Sequence, residues 1–153
     1  VCIRELEMMA IGFDVAVRLR LDSHGPWRIV ADPVRIEQIA FNVIENAIRY
    51  SAPHSTVVVR LRASRSRLLL VVENEVSDPA QANPERWFEM FQRGSQPAHD
   101  GRRRGLGIGL TVVQTLTAAH GGIVCSRFRD QMVSIAVSLP REGLAGKVVN
   151  RPN

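Results

Sequence analysis

Between Asp32 and Tyr50, residues Ile36, Ile39, Ala40, Val43, Ala47 and Ile48 recur at helical spacing, which predicts one long amphipathic helix. Asp32 can cap its start, and Pro33 suits the first helical position, where an N–H has no intrahelical partner. Ser51-Ala52-Pro53 breaks it. A helix with one apolar stripe needs a second layer to bury it, and the rest of the chain supplies strands. Asp14 to Leu21 alternates Val15, Val17, Leu19 and Leu21 with Ala16, Arg18 and Arg20, predicting a half-buried strand. Asp22 to Pro26 reads as a turn, and Trp27 to Val30 as a short strand behind it. Thr56 to Ala63 and Arg67 to Glu73 predict a hairpin through Ser64-Arg65-Ser66, and Ile123 to Arg129 with Met132 to Leu139 a second.

Leu106 to Ala119 predicts another long helix, closed by the glycine signal His120-Gly121-Gly122. Glu85 to Phe91 predicts a short one, and Arg4 to Ile11 the last turns of a helix that begins upstream. These elements define an α+β fold, a two-layer α/β sandwich. Its mixed sheet has about five strands, covered on one face by about three helices. The domain is expected over residues 1–140, with residues 1–11 as the end of a truncated helix and residues 141–153 as a flexible tail. The start at Val1 rather than Met reads as a piece of a longer protein.

Composition removes several alternatives. At 153 residues with 45% apolar and 23% charged, the chain suits one globular domain. Leu68 to Val72 is an apolar run of strand length, and no stretch approaches a membrane span. The net charge of +5 comes almost wholly from arginine, since Lys147 is the only lysine. The arginines are scattered and aromatics are only 5%, so no nucleic-acid partner is expected. Cys2 and Cys125 stand far apart, and His24, His54, His99 and His120 are isolated from one another, which argues against a zinc site.

Two motifs carry chemistry. Asn42 and Asn46 stand four apart on one helix face beside Glu45, with Arg49 and Tyr50 one turn on. Amide and carboxylate oxygens suit Mg²⁺, and a guanidinium suits phosphate. Taken alone, the face reads more readily as solvated surface. Gly105-Leu106-Gly107-Ile108-Gly109-Leu110 opens the later helix, where glycines admit close backbone approach and free N–H groups attract anions. No Walker Lys-Ser/Thr follows, and no strand directly precedes it as in a dinucleotide fingerprint. Alone it describes a flexible joint.

In this order the motifs resemble a known family. Asp32 to Ser51 (DPVRIEQIAFNVIENAIRYS), Trp87 to Gly94 (WFEMFQRG) and Gly105 to Gly122 (GLGIGLTVVQTLTAAHGG) are similar to successive boxes of the sensor histidine kinase catalytic and ATP-binding domain. That domain has the Bergerat fold shared with DNA gyrase B, the MutL repair proteins and heat-shock chaperones. The resemblance covers roughly Ile3 to Pro140, and Asn46 to Ser51 favours a histidine kinase over the other members. It implies ATP and Mg²⁺ as cofactors. Asn46 would hold Mg²⁺ and, through it, the triphosphate. Asn42 would sit beside metal and phosphates, where ATPase relatives carry a glutamate; an amide suits a kinase that should not hydrolyse ATP. Arg49 and Arg93 would lie at the nucleotide, and Tyr50 on the adenine. Phe88 and Phe91 would anchor a lid over Arg93 to Arg104. Gly105, Leu106, Gly107, Ile108, Gly109 and Leu110 would wrap the nucleotide.

One box departs from the pattern. The family's Asp-x-Gly-x-Gly falls on Glu73-Asn74-Glu75-Val76-Ser77, so the adenine-reading Asp has become Glu73 and both glycines are lost. Asn74 is the alternative base contact, and ATP binding is expected to be weak but measurable. None of the four histidines has the setting of a phosphoacceptor. The resemblance therefore implies a protein-histidine kinase that phosphorylates a histidine on its own upstream dimerisation domain. It further implies a homodimeric parent in the bacterial inner membrane, this domain in the cytoplasm, and a response regulator in a two-component phosphorelay. A degenerate, non-catalytic nucleotide-sensing or docking module is the rival reading.

Overall fold

The computed structural model describes residues 2–22, 28–77 and 109–141. Within them the order is α1 (Cys2–Gly12), β1 (Ala16–Leu21), α2 (Pro33–Tyr50), β2 (Thr56–Ala63), β3 (Arg67–Glu75), α3 (Gly109–Ala119), β4 (Ile123–Arg129) and β5 (Met132–Pro140). The expected two-layer sandwich is present, with five strands in the order β1-β2-β3-β5-β4. β1 and β2 are parallel and the other pairs antiparallel. A parallel pair needs a crossover, and α2 lies within it.

α2 begins as its sequence predicts. The Asp32 carboxylate accepts from the Val34 N–H at 2.9 Å and from the Arg35 N–H at 3.4 Å, with Pro33 at the first turn. At the other end the Ser51 hydroxyl donates to Ala47 O at 2.7 Å, so the last turn is closed by a side chain. α3 ends on Gly121 at φ 68, with the Gly122 N–H bonding back to Thr117 O at 2.8 Å. That left-handed step suits glycine.

Strand alternation decides which face is buried. Val57 and Val59 of β2, Val72 and Asn74 of β3, and Val133, Ile135, Val137 and Leu139 of β5 point toward the helices and are buried. They meet Ile39, Val43 and Ile48 of α2 and Leu110 and Val113 of α3 in one core. The other sheet face carries Arg60, Arg62 and Glu73 in partly or fully exposed positions.

Three expectations are corrected. β1 starts at Ala16 rather than Asp14, because Asp14 takes a left-handed φ of 57 between α1 and the strand. It is exposed along its whole length, since an edge strand beyond the helical layer leaves Val17, Leu19 and Leu21 uncovered. Residues 28–30 form no strand; instead Val30 N–H donates to Arg141 O at 3.2 Å. The predicted helix Glu85 to Phe91, the lid Arg93 to Arg104, Gly105 to Ile108 and the tail beyond residue 141 lie outside the described residues.

Candidate functional site

The polar face of α2 meets the start of α3. Asn42 donates from Nδ2 to Gln38 O at 2.7 Å, one turn back on its own helix. That bond fixes the amide and turns its oxygen to α3, where a Cβ built on Gly109 would stand 3.1 Å from Asn42 Oδ1. A side chain at this position would have to push the Asn42 amide aside by a few tenths of an ångström. The asparagine face is thus adjacent in space to Gly109, where the described part of the glycine motif begins, α2 offering an amide oxygen and α3 its N-terminal end, where a helix favours anions. Leu110, next along, is 1% exposed and belongs to the core, which locks α3 in place.

Asn46 lies one turn beyond Asn42, is half-buried, and its side chain has no hydrogen-bond partner among the described residues. Tyr50, a turn further, is half-buried. Arg49 turns the other way. Its guanidinium donates to Glu45 Oε1 at 2.6 Å and sits 5.9 Å from the centre of the Phe13 ring, so it is held toward the end of α1.

β3 separates the two candidates for the base contact. Glu73 lies on the sheet face away from the helices and accepts from Arg60 Nε at 2.9 Å. Asn74, one residue on, points to the helical side and is buried. The structure therefore brings Asn42, Asn46, Tyr50, Asn74, Gly109 and Leu110 to the helical side of the sheet and leaves Glu73 on the other. Sequence alone could not separate Glu73 from Asn74, but strand parity does. Gln38 and Phe13 were not foreseen; the only signal was that Gln38 precedes Asn42 by one turn.

Among the described residues no group of three or more His, Cys, Asp or Glu side chains gathers to hold a metal. The donor chemistry still fits Mg²⁺ carried by a nucleotide. Mg²⁺ keeps several waters, takes one or two protein oxygens and uses substrate phosphates for the rest, so a single amide oxygen at Asn46 suffices. No helix among the described residues is long and apolar enough to cross a membrane.

Comparison with known proteins agrees with this geometry. Residues 31–143 match the family described as Histidine kinase-, DNA gyrase B-, and HSP90-like ATPase. The chain is 35% identical over 113 residues to a bacteriophytochrome of Pseudomonas aeruginosa, covering 74% of this chain and 15% of that protein. It is 34% identical over 118 residues to the sensor protein RstB of Escherichia coli, covering 77% of this chain and 26% of that one. The chain thus spans about a quarter or less of these two relatives. Its fold resembles the mycobacterial sensor histidine kinase MprB with a TM-score of 0.72 at 23% identity, over 94% of this chain and 93% of that one. It also resembles the catalytic domain of histidine kinase ThkA, with a TM-score of 0.70 at 21% identity over 92% of each chain. With the asparagine face of α2 against the glycine start of α3, in a sheet of this order, the chain belongs to the histidine kinase-, DNA gyrase B- and HSP90-like ATPase family and has the fold of the histidine kinase catalytic domains.

Proposed function

We propose that this domain binds ATP with Mg²⁺ and presents the γ-phosphoryl group to a histidine on a separate dimerisation domain of a two-component sensor kinase. The contact between Asn42 and Gly109 carries this reading, because it brings a polar amide face and a helix start, both suited to phosphates, to one place. Phosphoryl transfer asks a protein mainly for positioning and charge stabilisation, and both elements supply that. When bound, Mg²⁺ would neutralise phosphate charge. Asn46 would hold it through its amide oxygen, Asn42 would orient the phosphates, and Tyr50 would flank the base. Asn42 carries no ionisable group able to activate water, which suits transfer to a protein acceptor rather than hydrolysis.

The described histidines have structural partners. His120 Nδ1 lies 2.7 Å from Leu116 O, and His54 Nδ1 lies 2.7 Å from Asp14 Oδ2. This supports an acceptor elsewhere, within a homodimeric kinase serving a response regulator. A cytoplasmic placement at the inner membrane follows from the same reading. The domain boundaries proposed are residues 1–140, followed by a tail. A non-catalytic nucleotide sensor is the second reading, favoured by β3 running on through Glu75, where the family pattern has a glycine, and by Val76 bridging Ser51 between the two lost glycine positions.

The test is Asn46→Ala, with thermal unfolding followed with and without ATP·Mg²⁺. The expected result is an unchanged melting temperature without ligand and loss of the ligand-induced rise, since binding to the native state alone produces that rise. An undiminished rise removes Asn46 from the site. Transfer of phosphate to a dimerisation domain supplied separately then distinguishes a kinase from a sensor.

A further inference from the structure

Asn74 is 2% exposed, and its Nδ2 has no hydrogen-bond partner among the described residues. Buried polar groups are usually satisfied, as Ser51 shows by donating to Ala47 O. An amide N–H kept from water with no acceptor weakens the fold unless a ligand brings one. Its location points to which ligand. Ser51 bridges Val76, and the Ala52 N–H donates to Glu75 O at 2.8 Å, so the end of α2 is tied to β3 just beyond Asn74. Asn74 therefore lies toward the same end of α2 that carries Asn46 and Tyr50.

Resting on the nucleotide-binding reading above, we propose that Asn74 reads the 6-position of a purine and that, being an amide, it accepts guanine nucleotides about as readily as adenine ones. A carboxylate offers only acceptors. It takes a hydrogen from the 6-amino group of adenine and repels the 6-oxygen of guanine. An amide offers a donor and an acceptor side by side. One orientation donates to N1 of adenine and accepts from its 6-amino group. The amide turned over donates to O6 of guanine and accepts from its N1–H. Discrimination at polar sites comes from groups left unpaired by the wrong ligand, and at positions 1 and 6 neither purine leaves one against an amide. The neighbouring carboxylate does not restore it, because Glu73 is on the opposite face with Arg60.

The test is calorimetry of ATP·Mg²⁺ and GTP·Mg²⁺ on the wild type, Asn74→Asp and Asn74→Ala, with thermal unfolding to confirm that each variant folds. In the wild type the two dissociation constants should agree within threefold. Asn74→Asp should weaken GTP at least tenfold relative to ATP, and Asn74→Ala should weaken both together. A wild-type preference for ATP above threefold overturns the proposal. So does an Asn74→Ala variant that binds both nucleotides as the wild type does, a result that needs no buried charge to be tolerated. Absence of binding by either nucleotide to the wild type removes the nucleotide reading itself. Binding that Asn46→Ala abolishes, with selectivity indifferent to Asn74, removes only this inference.

Discussion

Arg60 Nε donates to Glu73 Oε2 at 2.9 Å across neighbouring strands, on the sheet face opposite the described helices. The pair holds the Glu73 carboxylate on the far side of β3 from Asn42, Asn46 and Asn74. Shortening it with Glu73→Asp is therefore expected to leave ATP affinity within threefold of the wild type. The pair is about a third exposed at each partner, so its loss should lower stability by less than about 1 kcal/mol and by less still in high salt. Calorimetry and urea unfolding check the two halves, and a tenfold change in affinity would restore Glu73 to the site.

Gly109→Ala sets helix propensity against fit. In a helix interior alanine is favoured over glycine by about 1 kcal/mol. At the helix start that gain is smaller, and the new methyl meets Asn42 Oδ1 at 3.1 Å. Asn42 can yield only by straining its 2.7 Å bond to Gln38 O. The expected outcome is stability within about 1 kcal/mol of the wild type and ATP binding weakened at least tenfold. Fluorescence titration with a nucleotide analogue, beside a urea melt, separates the two effects.

Gly122→Ala should be far more damaging. A Cβ there would lie 2.6 Å from Ser138 O, 2.6 Å from Thr117 Cγ2 and 2.9 Å from Leu139 Cδ2. One of these is backbone in a paired strand and cannot step aside, so α3 must lift from β5. Overpacking of this kind destabilises by about 1–3 kcal/mol or more. A urea midpoint equal to that of the wild type would show that the α3 terminus moves freely.

What the sequence revealed follows from how local each signal was. α2 was legible to the residue at its start because Asp32, Pro33 and the apolar stripe all agree, and each acts within one helix. Both hairpins were legible for the same reason, although Asp130 and Gln131 turn the second at positive φ without glycine. β1 misled because alternation reports which residues share a face, not whether another layer covers it. Val17 and Leu19 alternate correctly and remain exposed at the sheet edge. The site was half legible. The spacing of Asn42 and Asn46 placed both on one helix face, but telling which of Glu73 and Asn74 faces the helices required the parity of β3 against β2 and β5, which is tertiary information.

Thr117 offers the opposite case to Asn74. It is fully buried in α3, and its Oγ1 has no hydrogen-bond partner among the described residues. Its Cγ2 packs where a side chain at Gly122 would stand, which places it at the closed end of α3 rather than at the asparagine face. No ligand role recommends this hydroxyl, and leaving it unsatisfied costs about 1–3 kcal/mol of desolvation. Thr117→Val keeps the shape and exchanges the hydroxyl for a methyl group. Valine and threonine have similar helix propensities, so the backbone contribution nearly cancels. The variant is expected to gain about 1–2 kcal/mol in urea unfolding, with an unchanged m-value and unchanged ATP affinity. A loss of stability would show that the hydroxyl has a buried partner, most simply a water held between α3 and the sheet.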